Sequence, residues 1–312
     1  MDWFNEAKLG IFIHWGLYAI PAYDNVECAK VRNIGNGSEW YYERLMKDKR
    51  CNISDNLTQA YHKKKYKEME YEKFLTMFKG KNFNADQLVS KIKTTGAKYI
   101  VFTAKHHDGF CLWETKTTHY NVMNSPLKKD VLKELLLASR KYNIKFGIYY
   151  SWMEFGQSLN IKYKQEKMIP QLKELLGYKP DLFWMDGDWI GSQEDLNSID
   201  FVKAVHKLGA IINSRLGRNN IGGDYENYMD RFIPIEKMER KYESCHTIGY
   251  SWGYNKQQKK EDYKTSDELL EIYHKVNNTN GNLLLNISLD EHGNFDRIEE
   301  ERLIEFAKKI KP

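Results

Sequence analysis

Short apolar runs bounded by turn residues recur along the whole 312-residue chain. Eight of them are rich in β-branched and aromatic residues, over approximately 9–15, 98–105, 145–151, 181–186, 210–214, 220–225, 241–247 and 282–288. Runs of this kind, apolar at successive positions, fit strands buried on both faces of a parallel sheet. Between them the spacing changes to helical. Leu88, Val89 and Ile92 share one face of 84–94, and Val131, Leu132, Leu135 and Leu136 share one face of 128–142. Segments 165–177, 196–208, 265–276 and 297–310 continue the series. Strands alternating with helices predict βαβ units. Eight such strands in a chain of this length predict an α/β protein with a (β/α)8 TIM-like barrel, with a doubly wound sheet as the structural alternative. The stretch 16–96 reads as a long helical insertion after strand one, and residues 1–312 as a single domain.

Composition narrows the function classes. The charge balance, 48 − 43 = +5, is modest, and the lysines fall in mixed runs such as Lys63-Lys64-Lys65-Tyr66-Lys67-Glu68. A solvated helix face explains such runs better than a nucleic-acid groove, so no nucleic-acid partner is expected. No apolar run reaches the roughly 18–20 residues of a membrane span. No secretory signal is visible after Met1, which predicts a cytoplasmic protein whose four cysteines, Cys28, Cys51, Cys111 and Cys245, are reduced thiols. The unusual feature is 14% Phe, Trp and Tyr. Rings with one wet edge suit sugar-stacking platforms, but they also suit a large core. Position has to decide.

Barrel enzymes carry their chemistry at the C-terminal ends of the strands. Those ends read His14-Trp15-Gly16, then Lys105-His106-His107-Asp108, Tyr149-Tyr150-Ser151-Trp152 and Trp184-Met185-Asp186-Gly187-Asp188. Asn213-Ser214-Arg215, Asp224-Tyr225-Glu226 and the run from Glu243 to Ser251-Trp252-Gly253-Tyr254 follow. Imidazoles, indoles and several carboxylates on one rim point to a site rather than to packing. Three chemistries fit it. Retaining glycoside hydrolysis needs two carboxyl groups about 5 Å apart. A metal-dependent hydrolase could use His14, His106, His107 and Asp186, although neighbouring residues of one strand face opposite ways and no H-x-H spacing is present. A sugar-binding barrel without catalysis would need the aromatics alone.

The chain also resembles the α-L-fucosidases of glycoside hydrolase family 29. The likeness runs through Ala7-Lys8-Leu9-Gly10-Ile11-Phe12-Ile13-His14-Trp15-Gly16, Ser38-Glu39-Trp40-Tyr41, Lys105-His106-His107-Asp108-Gly109-Phe110 and Gly147-Ile148-Tyr149-Tyr150-Ser151-Trp152. It continues through Phe183-Trp184-Met185-Asp186-Gly187, Glu243-Ser244-Cys245 with Ser251-Trp252-Gly253-Tyr254-Asn255, and Gly281-Asn282-Leu283-Leu284-Leu285-Asn286-Ile287. These colinear blocks cover residues 3 to about 295. The resemblance implies retaining removal of terminal α-L-fucose from fucosylated oligosaccharides or glycans, without metal or organic cofactor; a non-catalytic fucose-binding barrel is the alternative.

Carried over position by position, the resemblance makes Asp186 the nucleophile. For the acid/base it offers Asp230 first, since the chain lacks the family's Thr-Pro-Glu before Ile233-Pro234, then Glu243, then Glu226. It nominates His14, Glu39, Trp40, His106, His107, Tyr150, Trp184, Arg215 and Trp252 for the fucose pocket. Strand alternation lets only one of Tyr149 and Tyr150 face inward, and Tyr150 is the choice. Relatives commonly continue into a β-sandwich; this chain ends after the helix at 297–310, so the catalytic domain alone is expected.

Overall fold

The computed structural model describes residues 1–32, 37–46, 57–218 and 222–310. Its eight strands are β1 (Leu9–His14), β2 (Tyr99–Lys105), β3 (Lys145–Ser151), β4 (Leu182–Asp186), β5 (Ile211–Ile212), β6 (Glu226–Asn227), β7 (Tyr242–Thr247) and β8 (Gly281–Ser288). All pair in parallel in the order β5-β4-β3-β2-β1-β8-β7-β6. The two ends of that order meet at a single parallel bridge between Asn213 and Tyr225, which closes the barrel.

Both faces of the strands are buried, but by different partners. Alternation sends Tyr99 and Val101, Tyr149, Leu182 and Trp184, Cys245 and Leu284 into the barrel interior, with Phe12 and Tyr225. The intervening residues, including Ile11, Ile100, Phe102, Ile148, Tyr150, Phe183, Leu283 and Leu285, pack outward against the helices. Amphipathic helices Ala85–Thr94, Val131–Lys141, Ile169–Gly177, Ser198–Lys207, Ser266–Asn278 and Arg297–Ile310 supply that outer layer. Asn84 and Asp130 cap the first two by accepting backbone N–H groups. At the bottom, Phe4 of the short N-terminal helix Asp2–Asn5 plugs the interior against Tyr225, ring centroids 4.3 Å apart.

Two expectations require correction. The sixth strand does not lie over 220–225. Gly222 and Gly223 take φ of +98° and +78°, which breaks extended backbone, and a Cβ on Gly223 would meet the Asn213 carbonyl oxygen at 2.4 Å. The strand therefore begins only at Glu226, after the isolated bridge at Tyr225, and residues 219–221 lie outside the described ones. The cysteines are not all reduced thiols: Cys28 is disulfide-bonded, whereas Cys111 and Cys245 are free and buried. No helix among the described residues is long and apolar enough to cross a membrane.

Candidate active site

A cavity of about 410 Å³ opens at the C-terminal ends of the strands. Its wall includes His14, Trp40, His106, His107, Tyr149, Trp184, Asp186, Arg215, Asp230 and Trp252. The β4 alternation explains its floor. Leu182, Trp184 and Asp186 share the inward face, so the indole and the carboxyl arrive at the same mouth one pleat apart. Gly187 then turns the chain at φ +74°, where a Cβ would lie 2.9 Å from that of Met153.

Asp186 is held from two sides. Arg215 Nη1 donates to its Oδ1 at 2.7 Å, and the Tyr149 hydroxyl donates to its Oδ2 at 2.8 Å. His107 Nε2 lies 3.6 Å from Oδ2. Burial alone would raise this carboxyl, but the charge of Arg215 and the hydrogen bonds from Arg215 and Tyr149 outweigh it and hold the pKa below the ordinary value. The same guanidinium reaches Asp230: Nη2 donates to its Oδ1 and to the Tyr228 carbonyl, each at 2.8 Å. Arg215 also lies over Trp184, 4.6 Å from the ring centroid. One planar cation thus braces two carboxyls and rests on the aromatic floor.

The imidazoles are neutral. Burial is the main cause that lowers His14 to about 3 and His107 to about 4, and it drives His106 well below its ordinary value. Their tautomers follow from their partners. Asn286 Nδ2 donates to the Trp252 carbonyl, which turns its Oδ1 toward His14 Nδ1 at 2.6 Å. Nδ1 therefore carries the hydrogen and Nε2 is left as an acceptor. Ser151 donates its hydroxyl hydrogen to the Met153 carbonyl and so accepts from His107 Nδ1 at 2.6 Å. His107 presents a bare Nε2 toward Asp186, and the pair is not an ionic one near neutral pH. His106 stacks on Tyr149 at 5.5 Å and 6°, and its buried Nδ1 has no hydrogen-bond partner among the described residues.

Several nominated residues take other places. Tyr150 faces outward and donates to Gln171 Oε1 at 2.8 Å, while Tyr149 faces the cavity; the inward phase of β3 is that of Gly147, Tyr149 and Ser151, in register with Leu182, Trp184 and Asp186. His106 and His107 both line the cavity because β2 has already ended at Lys105, so strand alternation no longer applies. Glu39 accepts the backbone N–H groups of Gly37 and Gly253, at 2.6 and 2.9 Å, and ties two loops together behind Trp40 rather than lining the cavity. Glu243 lies under the floor. It accepts from Trp184 Nε1 at 2.6 Å and from the Tyr99 hydroxyl at 2.5 Å, and burial raises it to about 7. Glu226 lies in β6 and pairs with Arg240.

Asp188, Trp189, Asn227, Tyr228, Met229 and Cys245 also line the cavity without having been nominated. Burial and the charge of Asp186 raise Asp188 to about 6. Asp188 follows a strand end and was within reach of the strand-end rule. Tyr228 and Met229 belong to a loop after a two-residue strand, where periodicity carries no signal. Among the described residues no three His, Cys, Asp or Glu side chains are grouped as metal ligands.

The family model described as Alpha-L-fucosidase matches residues 1–311. The plasma alpha-L-fucosidase of Rattus norvegicus is 33% identical over 330 residues, covering 99% of this chain and 68% of that protein. A putative alpha-L-fucosidase of Caenorhabditis elegans is 32% identical over 329 residues, covering 99% of this chain and 64% of that protein. The chain thus spans about two thirds of the length of these relatives. The crystal structure of Thermotoga maritima alpha-fucosidase in complex with fucose matches with a TM-score of 0.86 at 30% identity, over 98% of this chain and 73% of that one. An alpha-L-fucosidase variant solved in complex with Fucα(1,6)GlcNAc matches with a TM-score of 0.77 at 26% identity, over 99% of this chain and 97% of that one.

Proposed function

This chain belongs to the alpha-L-fucosidase family, a family of glycoside hydrolases, and from that premise we propose that it removes terminal α-L-fucose from fucosylated oligosaccharides or glycans with retention of configuration. The observation that carries the reading is Arg215, whose two Nη atoms hold Asp186 and Asp230 on one guanidinium within the cavity. A retaining pair needs its two carboxyls about 5 Å apart, and a guanidinium that bonds both through its two Nη atoms holds them close to one another.

Asp186 is the nucleophile. Its lowered pKa keeps it ionised, and Arg215 and Tyr149 fix its oxygens for attack on the anomeric carbon. Asp230 is the acid/base. Its Oδ1 is engaged by Arg215 and the Cys245 thiol, so Oδ2 is the oxygen through which a proton passes to the leaving oxygen and is later taken from the attacking water. The neutral imidazoles of His14, His106 and His107 serve the ring hydroxyls without adding charge, His14 and His107 with Nε2 as acceptor. Trp40, Trp184, Trp252 and Phe12 form the apolar side of the cup, which suits the C6 methyl group of fucose. No step requires a metal or organic cofactor.

The test is Asp186→Gly assayed with an aryl α-L-fucoside. Turnover is expected to disappear while the circular dichroism spectrum is unchanged, and azide to restore release of the aryl group with formation of a fucosyl azide. Wild-type rates in this variant would refute the assignment.

A further inference from the structure

Two of the residues around the cavity differ from the rest in being open to solvent. Trp189 is 48% exposed and Met229 is 79% exposed, whereas Phe12, Tyr149 and Trp184 at the floor are 2% exposed or less. Large exposed apolar side chains gathered at one rim mark a binding surface more often than chance packing. They are also held by different elements. Trp189 lies in the 3-10 turn Asp188–Ile190 that follows Gly187, and its ring meets that of His107 edge-on at 5.6 Å and 73°. The turn is fastened by Gly191 donating to the Asp188 carbonyl and by Arg218 donating to that of Gly191. Met229 comes from the loop after β6 and immediately precedes Asp230.

We propose that Trp189 and Met229 form the platform for the leaving-group sugar, the pyranose from which fucose is cut. The proposal rests on the fucosidase reading above and names the substrate class of its outer half. The acid/base must reach the glycosidic oxygen, so the departing sugar lies beside Asp230, and Met229 is its sequence neighbour. A half-exposed indole presents a flat apolar face to the axial C–H bonds of a pyranose ring. A thioether on three rotatable bonds adapts to rings joined through different hydroxyls. The inner cup then selects fucose, and the outer pair selects a glycosyl rather than a small alkyl or fluoride leaving group.

The experiment compares kcat/KM for α-L-fucosyl fluoride, whose leaving group has no ring, with kcat/KM for an α1,6-linked fucosyl-N-acetylglucosamine disaccharide. The ratio of the two is measured in wild type, Trp189→Ala, Trp189→Phe and Met229→Ala. Because kcat/KM reports the first irreversible step, in which the leaving group is still bound, the disaccharide-to-fluoride ratio is expected to fall on the order of tenfold in Trp189→Ala. It should fall less in Met229→Ala and return most of the way in Trp189→Phe. A general loss of folding would lower both substrates and leave the ratio alone. A ratio equal to wild type in either alanine variant overturns that half of the platform. Failure of the wild-type protein to release fucose from either substrate overturns instead the fucosidase reading on which the platform rests.

Discussion

At the scale of the residue, the division of labour among carboxyls follows from what each one touches. Asp230 lines the cavity and shares Arg215 with the nucleophile, while Glu243 spends its oxygens on Trp184 and Tyr99 beneath the floor. Removing them therefore has different consequences. Asp230→Ala is expected to slow a substrate with a poor leaving group by about 100-fold or more while sparing an activated aryl fucoside in the glycosylation step. Glu243→Ala is expected to slow both equally and to lower stability by roughly 1–3 kcal/mol for each buried donor left unpaired. Kinetics with the two substrate types and urea unfolding of both variants test this; a leaving-group dependence in Glu243→Ala would exchange the two roles. The cavity positions of Asp186, His14, Trp184 and Trp252 were legible from motif blocks and strand ends, and that of Asp230 from the resemblance, whereas Trp189 was not singled out. The choice between Tyr149 and Tyr150 was not legible. Both are apolar enough for either face, and only the register Tyr149↔Trp184 and Ser151↔Asp186 fixes which phase points inward.

At the scale of the element, the barrel is unevenly built. β1, β2, β3, β7 and β8 have six to eight residues each, whereas β5 and β6 have two. The seam between the short strands is sewn by a side chain. Asp224 donates its N–H to the Ile212 carbonyl at 2.7 Å, and its Oδ2 accepts the Ile212 N–H at 2.8 Å. Arg215 leaves from one side of this seam and Asp230 from the other. Asp224→Ala is thus expected to cost about 1–3 kcal/mol through the buried amide it strands, and to reduce kcat by loosening the Arg215–Asp230 contact. Hydrogen exchange at Ile212 should rise together with the loss of activity; protection equal to wild type would show the seam to be held by other means. β1, β2, β3 and β8 were legible because each carries four or five apolar or aromatic positions, which rise above the background. Two-residue strands among glycines leave no periodicity to read.

At the scale of the whole molecule, the buried imidazoles set a pH limit. His14 titrates at about 3 in the folded protein and near 6.5 in the ordinary state, chiefly because of burial. Between those values the unfolded chain binds a proton that the folded one refuses, so stability falls as pH drops from about 6.5 toward 3. His107, lowered to about 4, acts in the same direction. Each group contributes a slope of at most roughly 1.4 kcal/mol per pH unit. His14→Gln should therefore flatten the fall of Tm between pH 6 and pH 4 relative to wild type. Parallel curves would show that His14 is protonated without penalty in the fold.

The chain order of apolar strands and amphipathic helices was enough for the barrel, because periodicity is a local property and parallel strands need helices to return. The strand ends were enough to gather aromatic, imidazole and carboxyl groups at one mouth, because alternation places Trp184 and Asp186 on one face. Which of these groups meet was decided by closure of the barrel. It put one guanidinium between Asp186 and Asp230, 44 residues apart, turned Tyr149 rather than Tyr150 inward, and drew Glu243 below the floor. Hydrogen bonds across strands depend on register and on distance in space, and neither is written in the local pattern that any single segment carries.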